Sequence, residues 1–435
     1  MTTSDRQLSN LLNAGIEQAR LGYFEAAIAQ FSQAIALDAS CAKAFYNRGC
    51  AHRDRGCPSL AIDDFSAALR LKPTFVNAYI NRGSAYRMVG QLAEALGDLD
   101  RAVQLRPRSI KAYGNRGRIK LDLEDYTGAI ADFTIVLAAQ PQFAKILLWR
   151  GLAYLKQGAH EALAEPRRAA YQFAIADFTR LLQNQPHHAE AYNYRAVAYF
   201  QLRNYYQSTL DINRALECQV DYVEAYINRG MLRHELGDFQ GAIDDYTTVL
   251  ELNPDLQDRS YNQTLVGLAL DSPDTTLSED TPLNLRFRLA DLYDSRGLLR
   301  AQVGDMEGAI ADYTLALRFN GHSGRIWANR GRVFSRQEDY RAAIADFDRA
   351  LDLTPGDALA HCDRGYALYF LDEWEMALEN FNRAIDLSPA LAEAYIGRGH
   401  TSIRLGHGAN VAMDDFRKAL ELSWDTRKSE RSRLL

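Results

Sequence analysis

An Arg-Gly pair recurs along the chain at a spacing of 34 residues, as Arg48-Gly49, Arg82-Gly83, Arg116-Gly117 and Arg150-Gly151. It returns as Arg229-Gly230 and then as Arg296-Gly297, Arg330-Gly331, Arg364-Gly365 and Arg398-Gly399. A period of this length is that of a helix-turn-helix unit, which cannot bury its apolar face alone. Such units must stack, so the period predicts a helical solenoid. A solenoid offers a long curved surface rather than a deep pocket for chemistry.

The pattern inside each period supports this. In residues 76–109, Tyr79, Gly83 and Tyr86 fall at helical spacing and Gly90 interrupts the helix. Ala95, Leu99 and Ala102 follow at spacings of four and three, and Pro107 closes the unit. Residues three or four apart share one helix face. Gly90 suits a tight turn, and a proline cannot extend the helix behind it. Gly83 and Ala95 let two helices approach closely, while Tyr86 and Leu99 fill the space around them. In residues 110–143 the same places hold Tyr113, Gly117, Ala129, Phe133 and Pro141.

The length, the glycine, the second-helix alanine, the aromatic four residues later and the closing proline together resemble the tetratricopeptide repeat (TPR) family, in a style similar to bacterial multi-repeat members. The resemblance implies an all-α solenoid, a right-handed superhelix of about eleven repeats. They begin near Leu8, Ala42, Val76, Ile110, Ala144, Ala189, Val223, Ala290, Gly324, Ala358 and Ala392. The first lacks the arginine (Ala14-Gly15), and the sixth has Ala196 for glycine and Ser208 for alanine. Two interruptions divide the array. About eleven extra residues near 158–169 predict a longer turn or an extended helix pair. Residues 257–289 read as an irregular helix followed by an acidic, proline-punctuated loop, with Leu283–Val303 leading into the eighth repeat as a long helix. The expected organisation is a first block of seven repeats over 8–256, the irregular element, a second block of four repeats over 290–425, and a basic tail over 426–435.

The recurring arginine stands where many relatives of the family carry an apolar residue. Asp64, Asp98, Asp132, Asp177, Asp211, Asp245, Asp312, Asp346 and Asp415 recur just before the second-helix anchor. The repeat with Arg364 has Asn380 there, and the first repeat lacks both members, with Ala14 and Gln30. This joint absence predicts a partly buried bridge inside each repeat: Arg82 with Asp98, Arg116 with Asp132, Arg229 with Asp245, Arg330 with Asp346. The competing reading is two solvated charges worth about 0–1 kcal/mol.

One residue before the arginine stand Asn47, Asn81, Asn115, Asn228 and Asn329. In TPR arrays the first helices line the concave groove. A similar asparagine ladder lines the superhelix of the O-linked N-acetylglucosamine transferases, where the amides hold the peptide backbone. A carboxamide donates and accepts, so it can grip a peptide unit without reading its side chain; the alternative is that these amides tie adjacent helices. Lys43, Lys111, Arg118 and Lys145 share the presumed groove near one end, whereas Glu190, Glu224, Asp291 and Glu393 take similar places farther on. If they face inward, the first block would favour an acidic segment and the second a basic one. The two-carboxylate clamp of chaperone-binding TPR domains is incomplete: Tyr46 and Cys50 replace its first Lys-Asn pair, and Asn115 stands at its arginine place.

Nothing in the sequence indicates catalysis. There is no HExxH, phosphate loop or GxSxG elbow; Gly321-His322-Ser323-Gly324 lies in a link between repeats, as does His187-His188. His400 and His407 lack partners at metal-ligand spacing. Cys41, Cys50, Cys57, Cys218 and Cys362 form no CxxC motif and are odd in number, which predicts reduced thiols in a cytoplasmic protein. No run of 18 apolar residues indicates a membrane span, the start lacks the pattern of a secretory leader, and a net charge of −6 does not favour nucleic acid. The expected protein is a non-enzymatic interaction scaffold with no cofactor or metal. Its partners would be other proteins, held by extended or helical peptide segments, with self-association left open. An assembly factor using convex faces and array ends, or a regulatory subunit, is the alternative.

Overall fold

The computed structural model describes residues 3–252 and 289–433 of the 435-residue chain. Among these residues it contains twenty-two helices and no strand. The first compact unit holds α1 (Thr3–Arg20), α2 (Phe24–Leu37), α3 (Ala42–Asp54), α4 (Pro58–Leu71), α5 (Val76–Met88), α6 (Leu92–Leu105), α7 (Ile110–Asp122), α8 (Tyr126–Ala139), α9 (Ala144–His160), α10 (Ala164–Asn184), α11 (Ala189–Gln201) and α12 (Tyr205–Cys218). The second holds α13 (Val223–Glu235), α14 (Phe239–Leu252), α15 (Leu289–Val303), α16 (Met306–Phe319), α17 (Gly324–Arg336), α18 (Tyr340–Leu353), α19 (Ala358–Phe370), α20 (Trp374–Leu387), α21 (Ala392–Arg404) and α22 (Ala409–Arg433).

Odd and even helices pair as the first and second members of eleven repeats. The pairing rests on a close approach. A Cβ placed on Gly117 would lie 2.7 Å from the ring of Phe133, so only glycine lets α7 settle onto that aromatic. Phe31, Phe65, Phe133, Phe178, Phe347 and Phe381 are fully buried at this place, and burying one such ring contributes about 1.5–3 kcal/mol. The inter-helix turn proves less dependent on glycine than expected. Gly90 takes it at φ 79°, but Glu124 and Glu338 take the same left-handed conformation at 64° and 63°, at a cost of about 1–2 kcal/mol each.

The extra residues near 158–169 lengthen both helices of the fifth repeat, to 17 residues in α9 and 21 in α10. The extension repeats the packing device: a Cβ on Gly158 would meet the Tyr171 ring at 2.8 Å. The packing divides the chain after Tyr222, not at the 257–289 segment, whose expected helix and loop lie outside the described residues. Helices α14 and α15, on either side of it, share a core of Ile227, Tyr246, Val249, Leu292 and Leu299. The apolar face of α14 needs a following first helix to cover it, and α15 supplies one. At the C-terminal end, the backbone of the expected basic tail continues α22 to Arg433.

In each unit consecutive first helices touch one another as well as their partners: α3 with α5, α5 with α7, α7 with α9, and likewise α15, α17, α19 and α21. Consecutive second helices are not in comparable contact. Each unit therefore curves with its first helices on the inner side.

Ten arginines bind the described repeats. Arg116 directs Nε to Asp132 Oδ2 at 2.8 Å and Nη2 to Asp132 Oδ1 at 2.7 Å. The same two-point pairing joins Arg48 to Asp64, Arg82 to Asp98, Arg150 to Asp177, Arg195 to Asp211, Arg229 to Asp245, Arg296 to Asp312, Arg330 to Asp346 and Arg398 to Asp415. Arg364 has a single bond to Asn380, at 2.8 Å. The third donor, Nη1, crosses to the preceding second helix: to Ser32 from Arg48, Ser66 from Arg82, Asp100 from Arg116, Thr134 from Arg150, Thr247 from Arg296 and Thr314 from Arg330. The aspartates are buried, with 3% of the Asp132 side chain exposed.

Replacing Asp132 by alanine leaves Arg116 and its second neighbour Lys120, at 3.2 Å, facing a gap. Breaking one side of a buried pair costs about 3–5 kcal/mol. The lower end is expected here, because Asp100 still holds Arg116. Urea unfolding of D132A should show a loss of about 3 kcal/mol; a loss under about 1 kcal/mol would mean that the pair behaves as solvated surface charge.

Candidate protein-binding surface

The residue before the recurring arginine faces the preceding first helix, and what stands on that helix decides what it does. Asn81 donates its amide to Tyr46 Oη at 2.9 Å and to Cys50 Sγ at 3.3 Å. Asn329 donates to Asp294 Oδ1 at 3.1 Å and accepts from Arg332 Nη1 at 2.9 Å. Where the preceding repeat offers Ile80 instead of Tyr46, Asn115 turns back to its own helix and donates to the Lys111 carbonyl at 2.8 Å. Where it offers Leu12, Asn47 Nδ2 is buried with no acceptor at all.

The expected amide ladder therefore does not line a peptide groove as a set. Asn81 and Asn228 are 3% and 1% exposed, so no ligand reaches them. Asn47 Nδ2 is equally shut off, and Asn329 is held between Asp294 and Arg332. Only the Asn115 region remains open among the five. Burial of Asn81 against Tyr46 and Cys50 also removes it from any carboxylate clamp.

The expected cations are placed differently. Lys43, Lys111 and Lys145 are exposed and form no ion pair among the described residues. At the ladder place of the fifth repeat stands Trp149. Arg118 lies 5.3 Å from its ring centre and Lys145 lies 4.8 Å from it, one cation from α7 and one from α9. Such contacts contribute about 0.5–1 kcal/mol where exposed and more where dry. Asp122 pairs with Arg118 at 3.3 Å and also with Arg87 of α5. Lys156 stands in the same neighbourhood, and burial holds both its amine and the Arg118 guanidinium below their ordinary pKa. The sequence reading missed Trp149, Arg87, Asp122 and Lys156; the break in the asparagine series at Trp149 was the available signal.

On the inner side of the second unit, charge is largely cancelled within the fold. Arg325 reaches Asp294 at 2.9 Å and Asp291 at 3.7 Å, and Arg332 reaches Asp363 at 2.6 Å. Burial raises the pKa of Asp294 and of Asp363 despite these partners. The acidic character expected around Asp291 is thus offset by arginines of α17. Glu393 remains exposed on α21 and Glu224 is half-buried, while Glu190, half-buried on α11, belongs to the first unit and lies in electrostatic range of Arg118.

The ladder yields a test within one chain. Asn81→Ala removes the donor to Tyr46 Oη and Cys50 Sγ and should cost about 0.5–1.5 kcal/mol in unfolding experiments. Asn47→Ala removes a buried donor that already lacks an acceptor, so it should change stability by less than about 0.5 kcal/mol or raise it. Equal losses at both positions would show that the preceding helix does not decide the role of the amide.

Among the described residues no helix is long and apolar enough to cross a membrane, and no three His, Cys, Asp or Glu side chains gather as metal ligands. No curated protein matches the sequence. Solved structures similar to it include a tetratricopeptide repeat protein from Parabacteroides merdae, at 20% identity and TM-score 0.47, covering 67% of this chain and 98% of that one. Yeast Tom70 aligns at 15% identity and TM-score 0.37 over 96% and 92% of the two chains. The Cut9-Hcn1 hetero-tetramer of the APC/C aligns at 12% and 0.41 over 97% and 94%. Family profiles described as tetratricopeptide repeat match residues 42–75 and 223–256, and 115–173, 167–208, 295–358 and 328–392. With more than half of its length matched and its helices paired in repeats throughout the described residues, the chain belongs to the tetratricopeptide repeat family.

Proposed function

We propose that this chain is a non-catalytic protein-interaction scaffold whose first unit holds acidic peptide segments of partner proteins along its inner face. The observation that carries this reading is the convergence of Arg118 and Lys145, from neighbouring first helices, on the Trp149 ring. Lys43 and Lys111 extend the same exposed, positively charged side. An acidic segment laid across these helices would meet one cation after another, with an aromatic floor for an apolar side chain beside it. The charges would speed encounter and discriminate against basic segments more than they would add raw affinity. Affinity would accumulate with the number of repeats engaged. The amides contribute at Asn115 only.

Binding of a fluorescein-labelled peptide of alternating Glu and Ala should be measurable by anisotropy and should weaken steeply with salt. The double substitution Lys111→Glu, Lys145→Glu should weaken it by at least about tenfold, equivalent to about 1.4 kcal/mol. Unchanged binding in the double variant, or equal preference for the Lys-Ala counterpart peptide, would overturn the reading.

A further inference from the structure

Resting on the inner face as a site for acidic segments, we propose that Asp122 is an internal competitor for that site, a carboxylate of the fold held where a carboxylate of the partner would sit. Asp122 ends α7 on the inner side and is paired from two helices, by Arg118 of its own helix at 3.3 Å and by Arg87 of α5. Its side chain is 21% exposed, and those of Arg118 and Arg87 are 25% and 38% exposed. All three groups thus border solvent instead of lying sealed in the core. Beyond Arg118 lie Trp149, Lys145 and, within electrostatic range, Lys156.

Four cations therefore lie along this stretch, Arg87, Arg118, Lys145 and Lys156, with Glu190 and Glu124 in electrostatic range of Arg118 and Lys156, and Asp122 pairs directly with Arg87 and Arg118. A planar guanidinium binds a carboxylate at two points, but the Asp122 contact with Arg118 is a single long one. Arg118 keeps donors free for a second carboxylate. An acidic side chain arriving over Trp149 would take Arg118 and Lys145 together, and Asp122 would retain Arg87. Recognition would then be an exchange of one carboxylate for another at Arg118. Such an exchange keeps the cations ordered while the site is empty, and it sets a threshold that a single stray carboxylate does not cross. The device tunes selectivity towards segments with several acids in succession.

The experiment uses the full chain and the labelled Glu-Ala peptide. Asp122→Asn keeps the shape and a hydrogen-bonding oxygen for Arg87 while removing the charge. It should bind the peptide at least about threefold more tightly than the wild type at low ionic strength, with a steeper dependence on salt. The Lys-Ala peptide should gain nothing. Wild-type binding with equal or weaker binding by D122N overturns the competitor while leaving the acidic-segment reading intact. Absence of binding by both overturns the two together. Arg87→Gln loosens the α5–α7 tie but leaves the carboxylate in place. A gain in that variant would mean that helix loosening, not unmasked charge, drives the effect, and would overturn the proposal. If D122N does not fold by circular dichroism, Asp122→Ser takes its place with the same expectation.

Discussion

The stack depends on an arginine with three committed donors. A guanidinium is a rigid planar fork, so Nε and Nη2 fit the two oxygens of one aspartate while Nη1 points away along the array. In this chain the first two donors close a repeat on itself and the third ties it to the one before. A leucine at that place would pack but could not fix register. A lysine would supply charge without the fixed directions. The net contribution of each pair is limited, since burying charge is costly and the bridge mainly recovers that cost. Its consequence is specificity: nine second helices present an aspartate, and α20 presents Asn380, to their own first helices, and a slip of one turn strands the arginines. Because repeats interact with nearest neighbours only, this local rule propagates along each unit.

Much of this was legible from the sequence because both members of the pair recur in nine of the eleven repeats. Their joint loss in the first repeat, at Ala14 and Gln30, revealed the coupling. The third donor was not legible, because its acceptors are Ser32, Ser66, Asp100, Thr134, Thr179, Thr247, Thr314, Asp348 and Asn382. These share hydrogen-bonding capacity and not identity, so no residue recurs to catch the eye. The asparagines failed for the opposite reason. They recur in identity, but each amide answers to whatever the preceding helix offers: Tyr46, Ile80, Leu12 or Asp294. A repeated residue shows a repeated position and not a repeated task. The block boundary at residue 256 rests on the break in the 34-residue period and the acidic, proline-punctuated stretch after it, and α14 and α15 on either side share a core.

The two units spend charge on their inner sides in different ways. In the second, acids and arginines of successive first helices close on each other, Asp294 with Arg325 and Asp363 with Arg332, and the ties hold the helices together. In the first, Lys43, Lys111 and Lys145 form no ion pair among the described residues, and Arg118 has a single long contact with Asp122. Charge of one sign concentrated on a surface draws in counter-charge. Stability gives no reason to keep such lysines, since like charges on neighbouring helices repel and ion pairs at the surface contribute little. Burial lowers the pKa of Arg118 and Lys156, although the Arg118 guanidinium still borders solvent. The first unit thus keeps exposed lysines that form no ion pair among the described residues, while the second pairs Asp294 and Asp363 with arginines and leaves Glu393 exposed.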